Sequence, residues 1–446
     1  MASNLDIQRH DRFLEDASGD MQHWVHLLAP TDRPTLIALS DDQVRALSRV
    51  YRWRYCGSEP LSKRDKRFVG QVYLQLKEAG KRRGGAFFAR LGSRSPKDGI
   101  LPTHRRDQTV FRMMQLLQQL HVSPDTVDFV FDKGQVRKVR GATNACLREF
   151  FAMQQSLLRL ETPEEAMCLL LSSERVHTDL CRALQYLDTV NSASTETERS
   201  PLSVPLSMLC VRPWDHTISD AWEVRVFVSN NRVTCVSQYN PYFVLPEYAG
   251  TYCDAEHPDT GCDASLMRRR LVQSARRCVQ RLQHDHSDDN YGVIDFANTV
   301  VDLCFRPFRG HRDDNTGIDT NHSSRCVTLE EYLLKDTCTF VELNPFNTRT
   351  GGALFRWSHD EQLMRGTGTE HLTPNGVLQE EIDGVYLRVR RDVGDPAVQV
   401  RLMQVMLEGM SPPSSNHQLK TSHSGSNDDV DMLRECMELP SACLIL

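Results

Sequence analysis

The sequence predicts a two-lobed α+β protein with mostly antiparallel sheets. Its 446 residues exceed the usual size of one domain, so two lobes are expected. Residues 105–187 carry apolar side chains at helical spacing, whereas residues 207–238 contain three short runs with strand character. Helical segments followed by a run of strands favour the α+β class.

The N-terminal part is predicted to be helical. Residues 36–55 and 65–79 have apolar side chains at helical spacing, and Gly80 is the expected C-cap of the second helix. Residues 86–91 are the first predicted strand. Three further helices are predicted at residues 105–120, 142–160 and 163–187. A segment rich in Ser and Thr, residues 191–205, is typical of a loop between lobes.

Strands dominate the second half. They are predicted at residues 207–214, 222–228, 232–238, 291–296, 299–305 and 340–346. Asn230 and Asn231 predict a hairpin turn, because Asn tolerates positive φ. A basic amphipathic helix is predicted at residues 264–283, with its arginines facing solvent. A polar insertion covers residues 306–325, and residues from 411 onward have the composition of a disordered tail.

Composition excludes several classes. A formal net charge of −6 argues against nucleic-acid binding driven by overall charge. No apolar stretch approaches the ~18 residues of a membrane span.

The 14 cysteines include no Cys-x-x-Cys pair, and no apolar leader follows Met1, so a reduced cytoplasmic setting is expected. Cys253, Cys262 and His257 match no structural zinc spacing and are interpreted as a surface loop.

The last four residues, Cys443-Leu-Ile-Leu446, form a Cys-aliphatic-aliphatic-X ending whose final Leu favours geranylgeranylation of Cys443. The alternative is a chance apolar ending on a disordered tail. Because one lipid alone gives marginal anchoring, a peripheral membrane location would need a second signal, such as palmitoylation of Cys436.

The most informative pattern is two acids and an amide in apolar strands. Glu342 and Asn344 lie two residues apart, so a period of two places both on one face together with Phe340. Asp295 occupies a second such strand. Oxygen ligands of this kind suit Mg²⁺, which completes its shell with water and phosphate oxygens. The alternative is that the acids form buried ion pairs with arginines such as Arg212 or Arg225.

Alternating charges mark a further strand. Glu223, Arg225 and Phe227 share one face, and Val224 and Val226 lie on the other. A water-facing sheet and the lining of a nucleotide cleft fit this pattern equally well.

A cation also ends an earlier strand. Arg90 lies near the end of the apolar run 86–91, where its planar guanidinium would suit phosphate oxygens. An exposed arginine at a strand end is the simpler interpretation.

In order along the chain, seven segments resemble motifs of the cell division cycle protein 123 family. They are residues 88–98, 212–214 with 223–228, 236–238, 294–296, 341–346 and 354–357. The segment Phe88-Ala-Arg-Leu-Gly-Ser-Arg-Ser-Pro-Lys-Asp98 resembles the family pattern Phe-Pro-Lys-Leu-Asn-Trp-Ser-Ala-Pro-Arg-Asp. Val341-Glu-Leu-Asn-Pro-Phe346 is similar to the family's Ile-Asp-Phe-Asn-Pro-Phe. Any one motif is weak, but the ordered set is specific.

The resemblance implies an ATP-grasp-like fold with ATP·Mg²⁺ bound between two lobes. Its expected domains are a helical extension at residues 1–83, an ATP-grasp-like domain at 84–365, a C-terminal appendage at 366–410 and the tail at 411–446. The two lobes of that domain are expected at about 84–205 and 206–365. The implied cofactor-binding residues are Arg90, Arg212, Trp214, Glu223, Arg225, Asp295, Glu342 and Asn344, of which Asp295, Glu342 and Asn344 would hold the metal.

Family members bind the gamma subunit of translation initiation factor 2 and promote assembly of its heterotrimer, so this subunit is the expected partner. Several positions depart from the family pattern: Arg90 replaces a lysine, Glu342 replaces an aspartate and Asn240 stands where an aspartate is usual. Such departures are expected for a divergent paralogue with altered nucleotide binding.

Three functional hypotheses follow. The first is an ATP- and Mg²⁺-binding assembly chaperone without catalytic residues. The second is a carboxylate-amine ligase that forms an acyl phosphate, with Arg90, Arg212 and Arg225 placing charged groups. The third is a lipid-anchored scaffold whose nucleotide site has decayed.

Overall fold

The computed structural model describes most of the chain. The described residues are 20–122, 128–132, 135–139, 141–192, 207–249, 264–287, 296–305, 338–368, 373–393 and 396–410. Helices and sheets are both present, and nearly all strand pairs are antiparallel, which confirms the predicted α+β class.

The helices vary from one turn to more than six turns. They are α1 (Met21–Trp24), α2 (Asp41–Tyr55), α3 (Lys63–Arg83), α4 (Thr103–Val122), α5 (Gly141–Ser156), α6 (Pro163–Ser172), α7 (Glu174–Ser192), α8 (Pro246–Ala249), α9 (Ala264–Ser287), α10 (Trp357–Met364) and α11 (Pro396–Met410). A short 3₁₀ helix, Val25–Leu27, follows α1.

The strands form three sheets. They are β1 (Thr35–Ala38), β2 (Phe87–Leu91), β3 (Asp128–Asp132), β4 (Gln135–Val139), β5 (Met208–Pro213), β6 (Glu223–Ser229), β7 (Arg232–Gln238), β8 (Asn298–Phe305), β9 (Cys338–Pro345), β10 (Val377–Ile382) and β11 (Val385–Arg390). The sheet orders are β1-β5-β2, β3-β4 and β10-β11-β7-β6-β8-β9, and only β11 and β7 pair in parallel among the described strands.

The first two predicted helices have boundaries that differ from the predicted ones. The one predicted from residue 36 begins only at Asp41, because Thr35–Ala38 pairs with β5 as a strand. The second does not stop at Gly80 but continues to Gly84, whose φ of 66° is the left-handed value of a C-cap. Gly80 stays helical and lies against Phe87, whose ring would be 3.1 Å from an added Cβ.

The helix predicted at residues 163–187 is two helices. It starts as predicted, with a capping box in which Thr162 Oγ accepts the Glu165 N–H. Ser173 ends α6 in an extended conformation. Its hydroxyl then accepts the Val176 N–H at 3.1 Å, as an N-cap of α7.

The described contacts divide the chain into two compact units. Among the described residues, unit 1 takes those within 1–121, 153–215 and 400–446, and unit 2 takes those within 122–152 and 216–399. The core of unit 1 packs α2, α3, α6 and α7 against one face of its three-stranded sheet, which contributes Phe87, Ala89, Leu91, Leu209 and Val211. The predicted domain boundaries and the nucleotide cleft between lobes stay predictions.

Unit 2 is built on the six-stranded sheet. One face carries Val224, Val226 and Val301, which are fully buried, and α9 packs on this sheet. The other face carries Phe227, which packs with Phe346, Phe355 and α10. The predicted alternation along β6 is therefore confirmed.

Several predictions lie outside the described residues. They concern the strand at 291–295, the cysteine-rich loop at 253–262, the insertion at 306–325, and the tail at 411–446 with Cys436 and Cys443. Among the described cysteines, Cys278 and Cys338 form a disulfide, which the expectation of a reduced setting did not anticipate. No helix in the described part of the chain is long and apolar enough to cross a bilayer.

Candidate cation and nucleotide site

A row of polar side chains crosses all six strands of the unit 2 sheet. Directly opposed residues of neighbouring strands project to the same face. The strand registers place on one face, in spatial order, Gln379, Arg388, Ser237, Arg225, Asp302 and Glu342. We call this set the polar row.

The centre of the polar row is a buried ion pair. Arg225 donates from Nε to Asp302 Oδ1 at 2.8 Å and from Nη2 to Oδ2 at 2.7 Å, which is a bidentate geometry. Asp302 is fully buried and Arg225 is 7% exposed. Burial by itself lowers the pKa of Arg225, but the adjacent Asp302 carboxylate raises it above the ordinary arginine value, so Arg225 stays protonated.

Two polar residues of β9 lie beside this ion pair. Glu342 lies directly opposite Asp302, and Asn344 Nδ2 donates to Asp302 Oδ2 at 3.0 Å. The prediction that Phe340 lies on the same face is wrong. The register skips Val341, so Phe340 lies opposite Leu303 on the other face. A β-bulge of this kind inserts one residue and reverses the side-chain alternation beyond it.

Sequence reasoning missed Asp302. It assigned the first acid to Asp295, which lies outside the described residues, so that assignment stays a prediction. Asp302 occupies an apolar strand, between Val301 and Leu303, and the same argument about a costly buried carboxylate applies to it. That strand was predicted at residues 299–305 as a companion strand, and its acid was the available signal.

The donor set fits a hard divalent cation. Asp302, Glu342 and Asn344 provide two carboxylates and an amide, the oxygen ligands that Mg²⁺ prefers. Asp302 uses three of its roughly four lone-pair positions on Arg225 and Asn344. Within the described residues, no group of three or more His, Cys, Asp or Glu side chains is arranged to hold a metal ion. The candidate site therefore depends on the Asn344 amide as its third ligand. A cation here would therefore share Asp302 with Arg225.

A loop after β9 holds the remaining nitrogen of Arg225. Arg225 Nη1 donates to the carbonyl oxygen of Gly351. A Cβ added at Gly351 would be 3.1 Å from that nitrogen, and one added at Gly352 would be 2.1 Å from the Phe355 carbonyl oxygen. The two glycines therefore permit a tight turn beside the guanidinium.

The far end of the polar row anchors the same loop. Arg388, which is fully buried, donates to both carboxylate oxygens of Asp360 at 2.7 and 2.9 Å and to the Leu354 carbonyl at 3.1 Å. Ser237 Oγ accepts the Leu354 N–H at 3.0 Å. The segment from Gly351 to Leu354 is thus fixed against the sheet at both ends.

Glu223 lies two residues before Arg225 in β6 and projects to the same face. It is 4% exposed, lies opposite Cys304, and its carboxylate contributes to the raised pKa of Arg225. The structure therefore brings together four of the eight residues predicted to bind cofactor: Glu223, Arg225, Glu342 and Asn344.

The other three described candidates belong to unit 1. Arg90 lies opposite Cys210, and Arg212, two residues further along β5, lies opposite Phe88. Both arginines therefore project from the sheet face that does not carry the core cluster. They are 5% and 7% exposed, and Arg90 Nε donates to the Leu91 carbonyl at 2.9 Å. Trp214 follows β5 and is half-buried, with its backbone N–H bonded to the Ala86 carbonyl.

One family model matches part of the chain. Residues 148–247 match the model of the D123 family, which confirms the predicted resemblance to the cell division cycle protein 123 family. No curated protein sequence matches the chain.

Two solved structures are similar in part. C-terminally truncated Cdc123 from Schizosaccharomyces pombe is 16% identical with a TM-score of 0.40, covering 80% of this chain and 95% of that one. Cdc123 from the same organism is 16% identical with a TM-score of 0.38, covering 81% and 93%.

Proposed function

We propose that this Cdc123-like protein binds ATP·Mg²⁺ and acts as an assembly factor for the heterotrimer of translation initiation factor 2, through its gamma subunit. The observation that supports the proposal best is the convergence of Asp302, Glu342 and Asn344 on one face of the sheet. The family resemblance is the only support for the partner.

In this proposal, Asp302, Glu342 and Asn344 hold Mg²⁺, whose chemistry is to neutralise and fix the triphosphate. Arg225 keeps Asp302 oriented through its bidentate contact. The two carboxylates and the guanidinium sum to one negative charge, so the site attracts a cation without burying two uncompensated acids.

Calorimetric titration with ATP tests the site. Glu342→Gln removes one ligand charge from a half-buried position, and we expect Mg²⁺-dependent ATP affinity to fall about tenfold or more, as for loss of a charge-assisted contact. Glu342 is preferable to Asp302, because breaking a buried ion pair costs about 3–5 kcal/mol and confuses binding with folding.

The matched control is Glu361→Gln, an exposed glutamate of α10 that pairs with Arg365. It should leave ATP affinity unchanged. Equal affinities for wild type and Glu342→Gln in Mg²⁺, or affinity that survives chelation in wild type, would reject the site. Capture of the gamma subunit by wild type, measured with and without ATP, tests the partner separately.

A second candidate function has an observation in its favour. The charge of Asp302 is already neutralised by Arg225. An ion pair of this kind is expected in a scaffold whose nucleotide site has decayed. Gamma-subunit capture that does not depend on ATP, together with no ATP binding by wild type, would favour this scaffold over the nucleotide-binding factor.

A further inference from the structure

Unit 2 contains a cavity that shares no residue with the polar row. Its volume is about 280 Å³, near the lower limit of small-ligand pockets, so it holds one ring-sized group. Its main walls are Phe151, Trp222 and Phe243, and the side chains of Phe151 and Phe243 are almost fully buried. All of its lining residues lie within the segment that matches the family model.

The aromatic wall extends outward onto the surface. The Tyr242 ring stacks on Phe151 with a centroid distance of 5.0 Å and an interplanar angle of 6°. Tyr242 is 38% exposed, so part of this stacked pair is open to solvent. Inside the cavity, an incoming ring would meet the π faces of Phe151, Trp222 and Phe243.

The three charged residues that line the cavity differ in whether they have an interaction partner. Arg148, Glu149 and Asp220 all line the cavity. Glu149 and Asp220 each have an interaction partner. Arg148 is half-buried and makes no hydrogen bond or ion pair with any residue that the structure describes. An unpaired guanidinium beside an apolar cavity favours a ligand that is anionic next to its apolar part.

We propose that this cavity binds a protein segment that presents an aromatic side chain beside a carboxylate. The ring enters between Phe151, Trp222 and Phe243, and the carboxylate pairs with Arg148. Aromatic and arginine anchors in a desolvated pocket typically carry most of the energy of a protein interface. Charge complementarity at Arg148 is the reason for choosing an acidic segment over a basic one.

The test uses the full chain and the capped peptide acetyl-Asp-Trp-Asp-amide with a fluorinated tryptophan, followed by fluorine NMR in a chelator without Mg²⁺. Wild type should bind this peptide, and Arg148→Glu should bind it roughly tenfold more weakly. The same variant should gain affinity for acetyl-Lys-Trp-Lys-amide, a gain that damage to the fold cannot produce. Arg269→Glu, at an exposed arginine of α9, is the control and should match wild type.

Three results would overturn the proposal. They are no binding of the acidic peptide by wild type, equal binding of the acidic and basic peptides, and displacement of the peptide by ATP, which would assign the cavity to the nucleotide. Because the peptide titrations contain no Mg²⁺, failure of the ATP site leaves this result unaffected.

Discussion

The buried carboxyl groups of Asp302 in unit 2 and Asp20 in unit 1 have different neighbours. Asp302 receives a bidentate guanidinium from Arg225. Asp20 receives a hydrogen bond from Gln22 Nε2 at 3.1 Å and more distant attractions from Arg90 and Arg94, which the nearby Asp179 carboxylate opposes. Burial dominates and raises the pKa of Asp20 from 3.8 to about 7, so this carboxyl remains largely protonated in mildly acid solution.

Asp20→Asn should therefore stabilise the protein in a pH-dependent way. Between 3.8 and about 7 the unfolded carboxyl has lost its proton while the folded one retains it, so Asp20 weakens the folded state as pH rises. The neutral amide lacks this penalty. We expect the Tm of the variant, relative to wild type, to be higher near pH ~8 than near pH ~4.

Thermal unfolding at both pH values measures this difference. The control is Asp107→Asn, at an exposed aspartate of α4, which should change Tm by the same small amount at both pH values. A relative Tm of Asp20→Asn that does not change with pH would contradict the assignment of a raised pKa.

At the scale of elements, the loop between β9 and α10 depends on a close backbone approach. A Cβ at position 352 would lie 2.1 Å from the Phe355 carbonyl oxygen, a backbone atom that cannot rotate away. Gly352→Ala should therefore destabilise the protein by ~1–3 kcal/mol, as overpacking does. Denaturant unfolding measures the loss.

Gly85→Ala is the matched control, because nothing lies within 4 Å of its added Cβ. It should leave the free energy of unfolding within about 0.5 kcal/mol of wild type, as for most surface substitutions. An equal effect of both substitutions would show that the close contact at Gly352 relaxes without cost.

Elements with local signals could be predicted from the sequence. The start of α6 is encoded by Thr162, Pro163 and Glu165, and the hairpin by Asn230 and Asn231, whose φ values are 50° and 61°. Elements set by tertiary contacts were missed. β1 is a strand because β5 pairs with it, and α3 continues past Gly80, against which Phe87 lies, to the C-cap Gly84.

In the candidate site, too, local patterns could be predicted and tertiary contacts could not. The alternation of β6 is visible in its sequence, and Glu342 and Asn344 follow the same rule. The bulge at Val341 has no sequence signal of its own, since it depends on how β9 pairs with β8. The contact of Asp302 with Arg225 joins residues far apart in the chain, so period-two reasoning cannot pair them.

At the scale of the whole molecule, each of the two compact units contains a cluster of buried apolar side chains. Units of this kind often unfold independently, so we expect calorimetry to resolve two thermal transitions. Gly352→Ala should lower the transition of unit 2 alone. Asp20→Asn, near pH ~8, should raise the transition of unit 1 alone. A single transition that moves as a whole with either substitution would contradict this independence.

The pairing of Arg225 with Asp302 also has a consequence for how the protein is handled in the cell and in the laboratory. The carboxylate of Asp302, which is fully buried, is neutralised by a side chain of the same chain. We therefore expect the sheet around Asp302 to fold without a divalent cation. If the proposed site binds Mg²⁺, chelation should remove the ion and leave the circular dichroism spectrum of the protein unchanged.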